Sequence, residues 1–346
     1  MKKPKIVIDT QMLSRPQVTG IGRYISELLP SLLKNEDFEW IIKQPRPIKF
    51  YRTLWEHTIL PLSVLAEKAD ILFCPSNIVP LYLPKNTKLV VTIHDVRVKV
   101  FPETFSKWTR AYYNLIYSFA FRKADAIVTV SEFSKEEIIK YFPEAKNKVS
   151  VIYNGINLEK FIFLNIPRKN QILFIGALAK HKNIGIIFEA FSKVMDEIPH
   201  ELVIVGSRDS GMPQDEKVEK ALKLIPKNKI RFTGKISDDE TVRLYNESDF
   251  FIFPSIYEGF GLPLLEAMAC GCPIIASNRS SIPEVCGDSA LFFEAENPNE
   301  LAEKILLLAR NPEIKAHLRT KGLERVKNFS WTTSAEKYVE LFKKLV

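Results

Sequence analysis

Short apolar runs alternate with longer stretches of helical periodicity along this sequence. In its first half, stretches of helical pattern near 20–33, near 105–123 and in SKEEIIKYF separate apolar runs that read KIVID, ILFCPS, KLVVTIHD and AIVTVS. Nearly continuous apolar strands separated by helices are typical of a parallel sheet covered on both faces. The pattern therefore predicts an α/β fold.

The same rhythm restarts in the second half. After KVSVIYNGIN and a polar stretch at 157–169, the pattern resumes near residue 170 with helices near 183–197 and 238–247 and with strand-like runs that read QILFIGA, ELVIVG, KIRFTG, FFIFPS and PIIAS. A second sheet is therefore expected. We predict one domain over 1–165 and another over 166–330.

The end of the chain is helical, with segments near 298–309, 313–327 and 332–345. The last of these, within 331–346, is long enough to cross back onto the first domain. Ligands of open α/β sheets lie beyond the carboxyl ends of the strands. We therefore expect the functional site in a cleft between the two domains.

Length and composition agree with a two-domain globular protein. The chain has 346 residues, of which 46% are apolar and 26% charged. No apolar run is long enough for a membrane span, and MKKPK leads directly into a strand without a signal-peptide core, so a cytoplasmic location is expected. The four cysteines lack zinc-ligand spacing and are interpreted as small buried thiols.

The net charge of +8 is uneven, since residues 1–165 hold 24 Lys and Arg against 16 Asp and Glu, whereas 166–346 hold 25 of each. A basic domain suggests an anionic partner such as a membrane surface, a lipid pyrophosphate or nucleic acid. A solvated, Lys-rich surface explains the excess equally well. The apolar and basic segment 46–65 allows contact with an anionic membrane, or it forms a buried helix.

Gly20 and Gly22 in TGIGRYISEL follow the first strand and open a helix, where backbone amides can approach a phosphate. Ile25 stands where a dinucleotide fingerprint would have its third glycine, so the loop is a weak nicotinamide signature. The sequence contains neither GxxxxGK[ST] nor HExxH. Asp238 and Asp239 follow Ser237 at a helix start and are interpreted as complements of the helix dipole.

The most informative stretch is 249–287, where a buried strand leads into a loop and a helix that begins near Pro263. Gly259 and Gly261 bracket this loop, whose amides can point at an anion beside the helix N-terminus. The loop carries Glu258, and the first helical turn carries Glu266. Both carboxylates are expected to face the cleft.

With the intervening GFGLPLL and the trailing AMACGCPIIAS, this E-x7-E block resembles family 4 of the retaining glycosyltransferases with the GT-B fold. Nearly the whole chain shares the resemblance, in the same order, through TGIGRYISEL, TIHDV, VSEFSKEEI, VIYNGIN, FIGALAKHKNI, LVIVG, FTGKIS, LYNESDFFIFPS and SIPEV. It implies two facing Rossmann-like domains, the first binding the acceptor and the second a nucleotide-sugar.

The resemblance also implies roles for individual residues. Glu266 would hold the donor ribose and Glu258 the hydroxyls of the transferred sugar. Amides of Phe260, Gly261 and Leu262 would hold the sugar and the diphosphate.

Lys182 matches the lysine that neutralises the departing diphosphate in similar enzymes. The Gly22 loop would assist it. The family often adds an arginine where this chain has His181 or Leu178, so Lys180 or protonated His181 is expected to act as the second cation.

His94, in TIHD, matches a residue that contacts the donor sugar in similar transferases, although a lone histidine is usually structural. Ser131 is an alternative site residue and equally a plain helix N-cap. Gly234, Lys235 and Ile236 match a segment that binds the nucleotide base through backbone groups.

The resemblance thus implies front-face transfer of a hexose with retention, without metal or cofactor. Mannose from GDP-mannose is the favoured donor, and the acceptor is a glycan or lipid-linked saccharide. We expect no nucleic-acid partner, and a cytoplasmic enzyme that can rest on the membrane. Two alternatives are a GT-B nucleotide-sugar epimerase or phosphorylase and a non-catalytic binding module.

Overall fold

The computed structural model describes residues 3–14, 19–45, 51–206 and 216–346. The chain forms two compact units. Unit 1 comprises Met1–Gly155 together with Ser330–Val346, and unit 2 comprises Ile156–Phe329.

The boundary between the units lies ten residues before the predicted one at 165/166. Residues 156–165 belong to unit 2 because their backbone is fixed there. The Leu164 amide donates to Asn246 Oδ1 at 2.7 Å, and Asn246 Nδ2 donates to the Ile162 carbonyl at 2.9 Å. The stretch 157–169 is therefore an ordered segment of unit 2 rather than a linker.

Unit 1 contains a six-stranded parallel sheet in the order β2-β1-β3-β4-β5-β6. The chain reverses its direction of winding between β1 and β3, and such a switch point is where open α/β sheets bind ligands. The strands are β1 (Lys5–Asp9), β2 (Glu39–Lys43), β3 (Ile71–Cys74), β4 (Lys88–Thr92), β5 (Ala126–Thr129) and β6 (Val149–Val151).

The helices of unit 1 include one from the far end of the chain. This helix, α14, packs against α1, where the Tyr338 and Tyr24 hydroxyls are hydrogen-bonded at 2.6 Å. A π-helical turn, Trp55–Ile59, joins α2 to α3. The helices are α1 (Gly20–Leu33), α2 (Tyr51–Leu54), α3 (Leu60–Glu67), α4 (Arg97–Val100), α5 (Lys107–Lys123), α6 (Glu132–Tyr141) and α14 (Trp331–Lys343).

Unit 2 contains a second six-stranded parallel sheet, in the order β12-β11-β10-β7-β8-β9. This is the 3-2-1-4-5-6 order of doubly wound sheets, with its switch point between β7 and β10. The strands are β7 (Lys169–Ile175), β8 (Glu201–Val205), β9 (Ile230–Gly234), β10 (Ser248–Phe253), β11 (Ile274–Ser277) and β12 (Ala290–Phe293).

The helices of unit 2 connect these strands. Helix α9 opens with a capping box between Ser237 and Glu240, which confirms that Asp238 and Asp239 lie in a capped first turn. The helices are α7 (Ile184–Val194), α8 (Glu216–Lys223), α9 (Asp238–Glu247), α10 (Leu262–Ala269), α11 (Ile282–Cys286), α12 (Pro298–Arg310) and α13 (Pro312–Arg325).

The edge strands β2 and β12 were absent from the pattern-based prediction. No residue of β2 is fully buried, and β12 has buried residues only at its two ends. The fully buried strands β3, β5 and β10 were predicted, because burial on both faces produces a continuous apolar run.

The four cysteines are free and buried, which confirms their interpretation. Of the apolar and basic segment 46–65, residues 46–50 lie outside the described residues and 51–65 is helical. Its side chains divide between two environments: Leu60 and Val64 are buried, whereas Leu62 and Leu65 are 57% and 53% exposed. Within the described ranges, every helix is too short or too polar to span a bilayer.

Candidate functional site

An ion pair stands at the switch point of unit 2. Lys182 lies in the turn that follows β7, and Glu258 lies in the loop that follows β10, the neighbouring strand. Lys182 Nζ is 2.5 Å from Glu258 Oε1, and the two side chains are 17% and 13% exposed. The fold thus joins two charges 76 residues apart where water still reaches them.

The turn that carries Lys182 is anchored on both sides. Asn183 adopts a left-handed conformation with φ 52°, and its Nδ2 donates to the Ala295 carbonyl at 2.8 Å. The His181 carbonyl accepts from the Ile256 amide at 2.9 Å, which ties this turn to the loop after β10. Leu178 is fully buried beneath it, so the position of Lys182 is fixed by packing and hydrogen bonds.

Two serines after β11 support the loop that carries Glu258. The Glu258 amide donates to Ser280 Oγ at 3.0 Å. Ser281 Oγ lies 3.0 Å from both the Glu258 and the Phe260 carbonyls. Sequence reasoning missed both serines: Ser281 is the first residue of the SIPEV part of the resemblance, and Ser280 directly precedes it.

Gly261 forms the N-cap of α10 with φ 104°, a conformation that side-chain-bearing residues rarely adopt. A Cβ atom here would lie 2.9 Å from Leu264 Cδ1. The first amides of a helix have no intrahelical acceptors and carry the positive end of the dipole. The segment from Phe260 to Leu262 therefore lies at the positive end of a helix, where backbone amides can face an anion.

Glu266 has surroundings different from those of Glu258. It is the fifth residue of α10, one residue beyond its predicted place in the first turn, because the helix begins at Leu262 rather than near Pro263. It is 3% exposed, and the Tyr245 hydroxyl donates to its Oε2 at 3.2 Å. Burial, together with the negative charge of Glu266, holds the pKa of Tyr245 well above its usual value.

Three glycines lie at the carboxyl ends of β7, β8 and β9. The Gly206 amide donates to the Gly234 carbonyl at 3.1 Å, and a Cβ on Gly206 would lie 2.4 Å from the Gly176 carbonyl oxygen. Gly234 has φ 71°, and Lys235 and Ile236 follow it before α9. The predicted base-binding segment therefore lies on the same sheet edge as Lys182.

In unit 1, Gly22 and Ser131 both belong to helix caps. The Gly22 amide donates to Thr19 Oγ1 at 3.1 Å at the start of α1. Ser131 Oγ accepts from the Ser134 amide at 3.0 Å at the start of α6, which confirms the capping interpretation of Ser131.

His94 lies two residues beyond β4 and is 8% exposed. Its amide donates to Asn77 Oδ1 at 2.7 Å, its Nε2 is 3.2 Å from the Pro75 carbonyl, and its ring meets Tyr24 edge-on with centroids 4.6 Å apart. Burial lowers the pKa of His94, against smaller opposing effects of the Pro75 carbonyl and Asp95. The neutral imidazole is therefore favoured.

Asp9, which ends β1, is a buried acid that sequence reasoning missed. Its carboxylate accepts from the Gln11 amide at 3.1 Å, from Gln11 Nε2 at 2.7 Å and from Trp55 Nε1 at 3.1 Å. Burial raises its pKa to about 6 despite these bonds, and nearby Glu56 contributes in the same direction. An aspartate directly after an apolar strand was the available signal.

Two family models together match most of the chain. One, described as "Glycosyl transferases group 1", matches residues 156–325, and the other, "Glycosyltransferase Family 4", matches residues 19–160.

Within the described ranges, no group of three or more His, Cys, Asp or Glu side chains is arranged to hold a metal ion.

Curated relatives and a solved structure also resemble the chain. O-antigen chain mannosyltransferase B of Escherichia coli is 27% identical over 99% of this chain and 100% of its own length. O-antigen chain mannosyltransferase RfbU of Salmonella typhimurium is 29% identical over 67% of this chain and 64% of its own. HepE from Anabaena, solved with UDP and glucose, has a TM-score of 0.73 at 18% identity, over 98% of this chain and 99% of that one.

Proposed function

The chain belongs to the family 4 glycosyltransferases of the GT-B fold, and we propose that it transfers a hexose, with retention, from a nucleotide-sugar to a saccharide or lipid-linked saccharide. The observation that carries this proposal is the pair of Lys182 and Glu258 at the switch point of unit 2. Lys182 lies at the edge of the sheet where ligands of such folds bind. An anionic ligand at this edge can replace Glu258 as the partner of the lysine.

In the proposed donor complex, the two charges exchange partners. The diphosphate of the donor attracts Lys182 Nζ, and Glu258 is released to accept hydrogen bonds from hydroxyls of the sugar. Negative charge grows on the diphosphate as the sugar leaves, so the lysine stabilises the transition state more than the ground state. Lys180 and His181, beside Lys182, are the proposed sources of further positive charge.

The remaining donor contacts follow from the same sheet edge. Amides of Phe260, Gly261 and Leu262 at the start of α10 are proposed to bind the sugar and the diphosphate. Glu266, oriented by Tyr245, is proposed to bind the ribose. Backbone groups of the segment from Gly234 to Ile236 are proposed to bind the base.

The proposed reaction is a front-face substitution. The acceptor oxygen forms a bond to the anomeric carbon on the side from which the diphosphate leaves, and the acceptor proton passes to the departing phosphate oxygen. No protein nucleophile takes part. Neutral His94 is proposed to hydrogen-bond the donor sugar, and the start of α1, in the Gly22 loop, to assist the phosphates through the helix dipole.

Mannose is the favoured sugar because the two relatives described above are named as mannosyltransferases. The complex of HepE with UDP and glucose makes UDP-glucose the competing donor. The exposed Leu62 and Leu65, in the basic first half of the chain, support a lipid-linked acceptor at the cytoplasmic membrane surface.

A thermal-shift screen of GDP-, UDP- and dTDP-sugars tests donor binding. A ligand that binds only the folded state raises the melting temperature. We expect GDP-mannose to give the largest increase, and Lys182→Ala to reduce it while Lys193→Ala, an exposed lysine on α7, does not. If no nucleotide-sugar stabilises the chain, the proposal is wrong.

Product analysis separates transfer from the alternatives. We expect nucleoside diphosphate release to require an acceptor, and NMR of the product to show the anomeric configuration of the donor. Conversion of the nucleotide-sugar without any acceptor would favour an epimerase instead. Donor binding without turnover would favour a non-catalytic module.

A further inference from the structure

A charged cavity lies in unit 2, at the amino ends of the strands of its sheet. Arg168 immediately precedes β7, and Asp249 is the second residue of β10, so both lie at the opposite edge from Lys182 and Glu258. The cavity measures 320 Å³, and its lining includes Phe163, Arg168, Asp249, Pro312, Lys315 and Arg319.

One cation of the cavity, Lys315, is neutralised by the carboxylate of Asp249. Lys315 Nζ lies 2.8 and 2.7 Å from the two carboxylate oxygens of Asp249. His200 Nε2 is 2.9 Å from Asp249 Oδ2. Burial acts to raise the pKa of Asp249, but the hydrogen bonds to His200 and Lys315 outweigh it and hold that pKa below its usual value. The single carboxylate of the lining is therefore already engaged.

Arg168 carries a charge that no carboxylate of the described residues neutralises. Its guanidinium donates to three backbone carbonyls, those of Tyr245, Ser248 and Gly271, the last at 2.6 Å. Carbonyl groups satisfy hydrogen bonds without cancelling a charge. The positive charge of Arg168 therefore persists at the cavity wall.

Arg319 adds a second such charge. It projects from α13 one turn after Lys315, and its guanidinium lies over the Phe163 ring at 5.6 Å. Its Nε is buried and donates to no atom in the described part of the chain. Burial, and then the charge of Arg168, lower the pKa of Arg319. Arg168 and Arg319 thus bring two guanidinium charges to the wall of one cavity.

We propose that this cavity binds a phosphate-type dianion, either inorganic phosphate or a phosphomonoester, between Arg168, Lys315 and Arg319. The lining carries three cations and one carboxylate, an excess of two positive charges that a dianion balances. Guanidinium groups suit this ligand because their fork of N–H donors matches phosphate oxygens. The apolar walls at Phe163 and Pro312 leave room for the organic part of a phosphomonoester.

Calorimetric titration of the full chain with inorganic phosphate, at constant ionic strength, tests the proposal. Because the donor site also attracts phosphate, the titrations use Lys182→Ala as the background. We expect Arg319→Gln in this background to weaken phosphate binding about tenfold or more, since a charge-assisted bond is lost. Lys321→Gln removes an equal charge from the same helix and is expected to change the affinity less than about twofold.

Arg319→Lys distinguishes the guanidinium fork from charge alone and is expected to bind with intermediate affinity. Far-UV circular dichroism checks that each variant folds. Two results would overturn the proposal: no phosphate binding in the Lys182→Ala background, or equal affinity in Arg319→Gln.

Vesicle flotation identifies the source of the phosphate group. Binding to phosphatidic acid vesicles, but not to phosphatidylcholine vesicles, that disappears in Arg319→Gln would assign the site to a lipid phosphomonoester. Phosphate binding in calorimetry without such flotation would assign it to a soluble ligand, either inorganic phosphate or a soluble phosphomonoester. Both outcomes support the site.

Discussion

Ionisable side chains have opposite environments at the carboxyl edges of the two sheets: they are buried in unit 1 and partly hydrated in unit 2. At the edge of unit 1, Asp9 and His94 are buried, and burial shifts the pKa of each in the direction that favours its uncharged form. At the edge of unit 2, Lys182 and Glu258 stay partly hydrated and bind each other. An unpaired buried charge is costly, whereas a paired and partly hydrated charge is not.

This difference suggests a division of labour. A charge that must pass from a protein partner to a ligand is useful only where the ligand and water can reach it. The edge of unit 2 therefore suits the proposed anionic donor. The edge of unit 1, with its uncharged imidazole and buried acid, suits neutral hydroxyl groups of sugars.

Removing the cation from unit 2 should have the largest effect. We expect Lys182→Ala to lower kcat by about 10²- to 10³-fold, because stabilisation of the leaving diphosphate is lost. Lys182→Arg should retain part of the rate. Initial-rate assays with the donor from the thermal-shift screen measure this, and Lys193→Ala is the control. A rate within about threefold of wild type would show that the pair is only structural.

Removing the buried acid from unit 1 should change the pH dependence of stability. The pKa of Asp9 is near 6 in the folded chain and 3.8 ordinarily, so the folded state retains this proton longer than the unfolded state. Wild type should therefore lose about 2 to 3 kcal/mol, relative to Asp9→Asn, as pH rises from about 4 to 7.

Urea denaturation of wild type and Asp9→Asn at several pH values measures this difference. Asp125→Asn, an acid whose carboxylate is hydrogen-bonded to Lys88 and to the Leu89 amide, serves as the comparison. A constant difference between wild type and Asp9→Asn across the pH range would contradict the raised pKa.

Replacing the histidine at the edge of unit 1 should have a smaller effect on turnover. We expect His94→Gln to lower kcat/KM about tenfold, the value of one hydrogen bond to the reacting sugar. Because burial lowers the pKa of His94, its titration should not shape the rate profile above pH 6.5. An acid limb near pH 6.5 that disappears in His94→Gln would show that the ring is protonated in the working enzyme.

Removing a support of the loop in unit 2 should have the smallest effect. Ser281→Ala takes away the hydroxyl beside the Glu258 and Phe260 carbonyls. We expect about 1 kcal/mol of destabilisation and a few-fold increase in KM for the donor, with kcat nearly unchanged. Ser192→Ala on α7 is the control in thermal and kinetic assays. A large fall in kcat would place Ser281 nearer to the chemistry.

Sequence patterns revealed most of the fold because its information is local. Continuous apolar runs marked the buried strands, and helical periodicity marked most of the helices between them. The edge strand β2 was not predicted, because too many of its side chains face solvent to form such a run. The unit boundary was misplaced because the composition of 157–169 does not show which unit its backbone contacts.

The candidate site was predictable in its residue types but not in its contacts. The E-x7-E block and GALAKHKN indicated Glu258 and Lys182 separately. Their pairing depends on the adjacency of β7 and β10, which residue spacing does not report. Asp9 was not predicted for the same reason, because its hydrogen-bond partner Trp55 lies 46 residues away in the sequence.

Helix α14 has a consequence for the order in which the protein is made. Unit 1 includes residues that follow unit 2 in the chain, and Phe342 of α14 packs against Phe38 and Phe73. All of unit 2 is therefore translated before α14, the last helix of unit 1. Domains generally fold as units during synthesis. Unit 2 can thus fold first. Until α14 is translated, Phe38 and Phe73 of unit 1 lack their contacts with Phe342 and stay uncovered.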